Sequence, residues 1–485
     1  MRSSSGVALA RALSAILCLL SLVSGSVGEG RRVSKYSFPD DFIFGVSTAA
    51  FQIEGGWNEG GKGESMWDTY LHKHPEYTAD HSNGDVAADS YHLWMDDIDM
   101  IKSMGVDHYR LSISWPRILP NATDNNISYE GAKYYRTLFK ELLKVNITPV
   151  VTLFHWDMPT PLMDLGGWSN PAIVDFFEDY ARVAFNLYGD LVKIWTTINE
   201  PHQHCYNGYG RDYFVPALKS HGIGEYLCTH YILLAHARVY RLYEREFKPY
   251  QNGIQINFLW KVGITLDAFW ADPKDANKPE DIEAAENYLQ MHVKMLRGSA
   301  DFFGLNHYTT FLMSPSSMEP GWDIPSMDHD TGVKMEQNLS WPMPGADWLT
   351  VNPPGFRKLI NWIDNKYNNL KKIPIIITEN GMSDKGQTED YERVSYFNDY
   401  LEQVLLAMYE DGCNVKGYFS WTLMDDFEWN DGYTTKFGLF KVDFDSPLKT
   451  RTPKLSAHNF ANIVRTRLID FDYIKPPTEF NRLLE

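Results

Sequence analysis

A chain of 485 residues with 44% hydrophobic and 22% charged side chains has enough apolar material for one large domain or for two or three smaller ones. Its formal charge of −18 argues against nucleic acid or an anionic membrane as a partner. The four cysteines and fifteen histidines show no zinc-ligand spacing, so neither a metal nor a cofactor is expected.

The N-terminus carries Arg2 and Arg11, then an apolar stretch over 12–23, then small residues to Gly28. That pattern predicts a cleavable secretory signal over 1–28, followed by a folded region over 29–485. About twelve apolar residues are too few to span a bilayer. No later window is long enough, and the C-terminus has neither a hydrophobic tail nor a retention tetrapeptide, so secretion is the expectation.

Short runs rich in Val, Ile, Thr and aromatics, with little alternation, read as strands buried on both faces. They begin near Phe42, Asp107, Thr148, Val192, Lys261, Ala300, Ile373 and Val415. Apolar residues at helical spacing fill 93–104, 130–145, 171–187, 225–247, 354–370 and 391–409. Alternating strand and helix predicts a parallel sheet of α/β class, and eight units close as a (β/α)8 TIM barrel. No linker or composition shift marks a second domain, so a single domain with long βα loops is expected.

Two strands end alike, in Asn-Glu-Pro at Glu200 and in Glu-Asn-Gly at Glu379. One face of such a barrel collects all eight strand tips, and a carboxylate at two of them is what an acid and nucleophile pair requires. Other polar or aromatic residues fall at the same level: Gln52, Arg110, His155, Trp156, Asn199, Asn306, Tyr308 and Trp421. Strands four and seven lie across a small barrel from each other, so their side chains can converge over the mouth. Arg110 and the Tyr308 hydroxyl would favour an ionised Glu379, whereas apolar surroundings and a nearby carboxylate would keep Glu200 protonated.

These stretches resemble glycoside hydrolase family 1, the β-glucosidase family, and are similar in particular to its secreted animal members of the arthropod digestive type. The resemblance rests on F-P-D-D-F-I-F-G-V-S-T-A-A-F-Q-I-E-G (38–55), G-V-D-H-Y-R-L-S-I-S-W-P-R (105–117), T-L-F-H-W-D-M-P (152–159), T-I-N-E-P (197–201), D-F-F-G-L-N-H-Y (301–308), I-T-E-N-G (377–381) and F-S-W-T-L-M-D-D-F-E-W (419–429). It implies Glu200 as general acid/base and Glu379 as nucleophile. It implies that Gln52, His155, Asn199, Glu428 and Trp429 hold sugar hydroxyls over a Trp421 floor, that Arg110, Asn306 and Tyr308 support Glu379, and that Trp348 is a platform for the leaving group. Glu428 points to the hydroxyls at carbons four and six.

The implied activity is hydrolysis of small β-glucosides, with β-galactosides, β-fucosides or thioglucosides as variants of the same chemistry, and no metal is needed. The alternative is a catalytically silent barrel that binds sugar or a protein. The expected partner is a small glycoside, the expected location an extracellular compartment such as a gut lumen, and the expected state a monomer or homodimer.

One region departs from the family pattern. The usual long connection between strands five and six, with its Gly-Trp and Gly-Asp-Tyr-Pro elements, is replaced by a short passage from 281–290 to 296–301, and 254–260 reads as an apolar addition before strand five. The barrel is expected to close but to be less stable, because helix five would cover less of the sheet.

Cys18 leaves with the signal. Cys205 and Cys228 are the local disulfide candidate, with free buried thiols as the alternative. Sequons at Asn121, Asn126, Asn146 and Asn338 fit a secretory route, with Asn146 the one open to burial ahead of strand three. The acidic pairs Asp96-Asp97 and Asp425-Asp426 are read as solvated faces or loop caps.

Overall fold

In the computed structural model, which describes residues 32–251, 261–291, 298–316, 326–366 and 373–473, the eight apolar runs form eight parallel strands. They are β1 (Ile43–Ser47), β2 (His108–Ser112), β3 (Thr148–Phe154), β4 (Ile194–Asn199), β5 (Lys261–Asp267), β6 (Phe303–Asn306), β7 (Ile375–Asn380) and β8 (Val415–Trp421). They close into a barrel in chain order, with β1 hydrogen-bonded to both β2 and β8. Every residue of β4 and β7 is buried, which explains their lack of alternation: one face fills the barrel and the other meets helices. The expected signal over 1–28 and the addition over 254–260 lie outside the described residues.

Eight principal helices follow the strands: α1 (Ser90–Met104), α2 (Tyr129–Lys144), α3 (Ile173–Tyr188), α4 (Gly224–Leu242), α5 (Pro279–Met291), α6 (Pro353–Lys366), α7 (Tyr391–Tyr409) and α8 (Leu455–Thr466). In α2 the buried residues Tyr135, Leu138, Phe139 and Leu142 recur at helical spacing, and the Ser128 side chain caps the first turn by accepting from Gly131 N–H. Helix α1 ends on Gly105 at φ +70°, a left-handed stop that suits glycine.

The helices pack as a ring running α6, α7, α8, α1, α2, α3, α4. Helix α5 instead lies on a three-stranded side sheet of Trp270–Pro273, Thr310–Pro315 and Val333–Glu336. The shortened connection still lets β5 and β6 pair, from Ile264 opposite Phe303 to Asp267 opposite Asn306.

Cys205 and Cys228 form a disulfide with S–S 2.03 Å, and Cys413 is free and buried. Asn121, Asn126 and Asn146 are exposed and Asn338 is half-buried, so the burial considered for Asn146 does not occur. The reading of Asp425-Asp426 as solvated is corrected, because both are buried. Asp425 accepts from Lys454 Nζ at 2.9 Å and from Gly438 N–H at 3.0 Å, so it is an internal ion-pair anchor. Asp97 is likewise buried, 3.0 Å from Arg451 Nη2, while Asp96 is exposed. No helix among the described residues is long and apolar enough to cross a membrane.

Candidate active site

Strand β4 hands the chain to the short helix Pro201–His204 through Glu200, whose φ of +46° lies in the left-handed region. Such a conformation is uncommon outside glycine and persists only when its surroundings fix it. Here Glu200 N–H donates to the Thr265 carbonyl at 3.0 Å, tying the β4 tip to β5. From β6, Asn306 Nδ2 donates to Glu200 Oε1 at 2.6 Å and to Asn199 Oδ1 at 3.2 Å. Thr378 Oγ1 in turn donates to Asn306 Oδ1 at 2.7 Å, fixing the orientation of that amide.

Glu379 receives stronger donors. Arg110, buried inside the barrel, donates through Nη1 to Glu379 Oε1 at 2.5 Å and through Nη2 to Asn199 Oδ1 at 2.7 Å. Tyr308 donates its hydroxyl to Glu379 Oε2 at 2.7 Å. The guanidinium bond is charge-assisted and the phenol adds a second donor to the same carboxyl group. Glu200, with one neutral amide donor, is pushed well above the usual carboxyl range by burial first, then by the charges of Glu379 and Asp267. The same burial and carboxylates hold the Tyr308 hydroxyl protonated.

Both glutamates line one cavity of about 340 Å³ at the strand tips. His155, Asn199, Tyr308, Trp348, Trp421, Glu428 and Trp429 line it as well. Gln52 adjoins that lining, donating through Nε2 to the Phe427 carbonyl at 2.9 Å and to Glu428 at 3.4 Å. Arg110 and Asn306 lie beneath the carboxylates rather than on the cavity wall. Asn199 Nδ2 lies 3.1 Å from His155 Nε2. The His155 ring is stacked near Trp421 and Trp429 at 5.9 and 6.0 Å, and burial followed by the Arg110 charge keeps it neutral. Two polar atoms here, Gln52 Oε1 and His155 Nδ1, are buried without a hydrogen-bond partner among the described residues. No cluster of three or more candidate metal ligands occurs among the described residues.

The model of glycosyl hydrolase family 1 matches residues 34–295 and 291–468. The chain belongs to glycosyl hydrolase family 1. Its two matched stretches meet at the shortened connection after α5, the place where the sequence departs from the family pattern. Myrosinase 1 of Brevicoryne brassicae is 41% identical over 89% of this chain and 99% of its own. The human cytosolic β-glucosidase is 36% identical over 88% and 98%. Among solved structures, an aphid myrosinase superposes with a TM-score of 0.82 at 41% identity, covering 89% of this chain and 99% of that one. A rice β-glucosidase variant in covalent complex with glucose gives 0.82 at 34%, with the same coverage. This family member is a glycoside hydrolase, a retaining β-glycosidase.

The family fold also gathers residues that the sequence reading passed over. Asp267, at the tip of β5, lines the cavity, and its Oδ2 lies 3.0 Å from His202 Nδ1 and accepts from Gln203 Nε2 at 2.9 Å. The strand-tip rule reaches it, since it directly follows the K-V-G-I-T-L run. Gln203, Asn207, Arg211, Tyr213 and Phe214, from the segment after β4, also line the cavity, and so do Phe269, Phe311 and Met335 beside or on the side sheet. Nothing in the sequence separates those aromatic residues from ordinary core.

Proposed function

We propose that this family 1 enzyme removes terminal β-linked glucose from small O-glycosides, with Glu379 as nucleophile and Glu200 as general acid/base. The observation that carries the assignment is the unequal pair of environments inside one cavity. Arg110 and Tyr308 both donate to Glu379, while burial and neighbouring charge hold Glu200 as an acid. In the first step a Glu379 oxygen attacks the anomeric carbon and the glycosidic C–O bond breaks. The proton of Glu200 goes to the departing oxygen, leaving a glucosyl ester on Glu379. That ester removes the charge that opposed ionisation of Glu200. Glu200 then takes a proton from water, the water oxygen attacks the same carbon, and the ester opens to restore the carboxylate.

The unpartnered Gln52 Oε1 and His155 Nδ1, with Asn199 and Glu428, supply hydrogen bonds for sugar hydroxyls, and Trp421 supplies an apolar floor. β-Galactosides and β-fucosides are variants of the same chemistry. Thioglucosides need less help from an acid, because a thiolate leaves readily; an acid held in its protonated state favours oxygen-linked substrates. The N-terminal pattern over 1–28 and the exposed sequons at Asn121, Asn126 and Asn146 support a secreted glycoprotein.

Replacing Glu379 with Gly is expected to abolish turnover of an aryl β-glucoside, with azide restoring part of it and yielding the α-glucosyl azide. Glu200→Ala with azide should give the β-azide, because azide then enters where water does. Unchanged hydrolysis by Glu379→Gly overturns the assignment. A wild-type protein that binds glucose but turns over no aryl glucoside is the silent barrel instead.

A further inference from the structure

The tip of β7 departs from regular pairing just where it presents Glu379. Ile377 stands opposite Leu305 of β6 and Glu379 opposite Asn306, so Thr378 is a surplus residue on that side. Against β8 the same surplus falls between Ile377, opposite Tyr418, and Asn380, opposite Ser420. A bulge of this kind re-aims side chains at a barrel rim and interrupts the ladder. Here two successive residues face the barrel interior, Thr378 donating to Asn306 and Glu379 accepting from Arg110. An interrupted ladder leaves the tip with fewer backbone bonds, so its aim has to be fixed by side chains.

Asn380 supplies that fixing. Its side chain is buried and does not line the cavity. Its Nδ2 donates to the His307 carbonyl at 2.6 Å and to the Tyr396 hydroxyl of α7 at 2.8 Å, while its Oδ1 accepts from the Tyr418 hydroxyl of β8 at 2.7 Å. Both tyrosines are buried, so water does not compete for these bonds. His307 N–H donates to the Glu379 carbonyl at 3.0 Å, its ring stacks on Phe356 at 4.7 Å, and its Nδ1 lies 2.9 Å from the Ala268 carbonyl. Residue 307 is thus tied to 379 through its N–H and to 380 through its carbonyl. That carbonyl belongs to the peptide that carries Tyr308, whose hydroxyl donates to Glu379 Oε2.

We infer that Asn380, held by Tyr418 and Tyr396, is a positioning residue that aims the Tyr308 hydroxyl at Glu379 from outside the barrel. The inference rests on the reading of Glu379 as nucleophile and adds the group that sets its donor. Asn380 touches neither substrate nor a reacting oxygen, and the bonds made and broken are those of the proposed mechanism. A donor displaced from the attacking carboxylate costs rate while the sugar hydroxyls are still held.

The test is a pair of double-mutant cycles on the full chain, with an aryl β-glucoside as substrate. Asn380→Ala is expected to lower kcat/KM at least about tenfold, and Tyr418→Phe, which deletes one hydroxyl, at least about threefold. Competitive inhibition by glucose should shift less than about threefold in either variant, because the sugar-holding groups are untouched. In a Tyr308→Phe background there is no hydroxyl left to aim, so each substitution should then cost less than about twofold. A role confined to stability gives the same factor in both backgrounds. Equal losses in the two backgrounds, or no loss in the unchanged one, overturn the inference alone. Should Asn380→Ala not fold, the Tyr418→Phe cycle decides by itself. Full activity of Glu379→Gly, or a wild-type protein inactive on the aryl glucoside, overturns the nucleophile reading and the inference with it.

Discussion

On the proposed mechanism Glu200 carries a proton in the same cavity where Glu379 lacks one, and a handful of neighbours distinguish the two. Arg110 and Asn306 face the pair from β2 and β6, Tyr308 follows β6, and Asp267 adds a third carboxyl at the tip of β5 with His202 and Gln203 on its far side. A negative charge at Asp267 opposes ionisation of Glu200. Asp267→Asn removes the charge and keeps an acceptor, so Glu200 ionises more readily and the acid form is lost at lower pH. The alkaline limb of kcat/KM is therefore expected to move to lower pH, with activity at pH 8 falling roughly threefold further than at pH 5. An unchanged profile would show that Asp267 acts only as a structural partner of His202. Asp267 was readable in the sequence, one position past a recognised strand, and Glu200, Glu379, Arg110 and Tyr308 were readable because strand tips of a barrel share one face. Phe269, Phe311 and Met335 were not, since an aromatic or thioether side chain outside the barrel strands looks the same whether it lines a cavity or the core. Asp425 and Asp426 misled because burial of a charged pair depends on Lys454, which lies far along the chain.

At the level of elements, the eight strands were legible because double-sided burial leaves an unbroken apolar run, and α7 runs over the limits its periodicity indicates. Strand β6 begins at Phe303 rather than near Ala300 because the Asp301 carboxylate accepts from Val262 N–H at 3.0 Å, acting as an anchor ahead of the strand. The side sheet was illegible: Trp270–Pro273 is too short to give a period, and its partners come from two later segments. That sheet also explains the position of α5. Because α5 lies on it, the helical ring runs from α6 round to α4, and β5 and β6 are the strands bordering the gap. Restoring a full-length connection between β5 and β6 is expected to raise the thermal midpoint by about 2 °C or more, through added apolar burial on those strands. Equal midpoints for the two chains would mean that the present packing already covers them.

Across the whole molecule, the balance of buried and exposed carboxyl groups fixes how stability varies with pH. Burial raises Asp157 and Glu200, and burial with a neighbouring carboxyl raises Asp426 and Glu428, all well above their ordinary values. A raised group stabilises the fold fully below its unfolded pKa, about 4 for these side chains, and that contribution is lost as pH climbs through the folded value. Carboxylates nearer the surface act in the opposite sense: Arg182 lowers Glu246 and Arg357 lowers Asp411, so their contributions are present above the ordinary value and lost as pH falls through the folded one. The net charge of −18 adds self-repulsion that grows as the remaining acids ionise. Stability should therefore peak in mildly acidic solution and decline toward pH 9. Thermal midpoints measured from pH 3 to pH 9 check this, and a midpoint that is flat or rising between pH 6 and pH 9 rules it out. Asp426→Asn supplies the decisive comparison, because it retains an acceptor for the Thr422 hydroxyl while removing one buried titration, and the decline above pH 6 should become shallower in that variant.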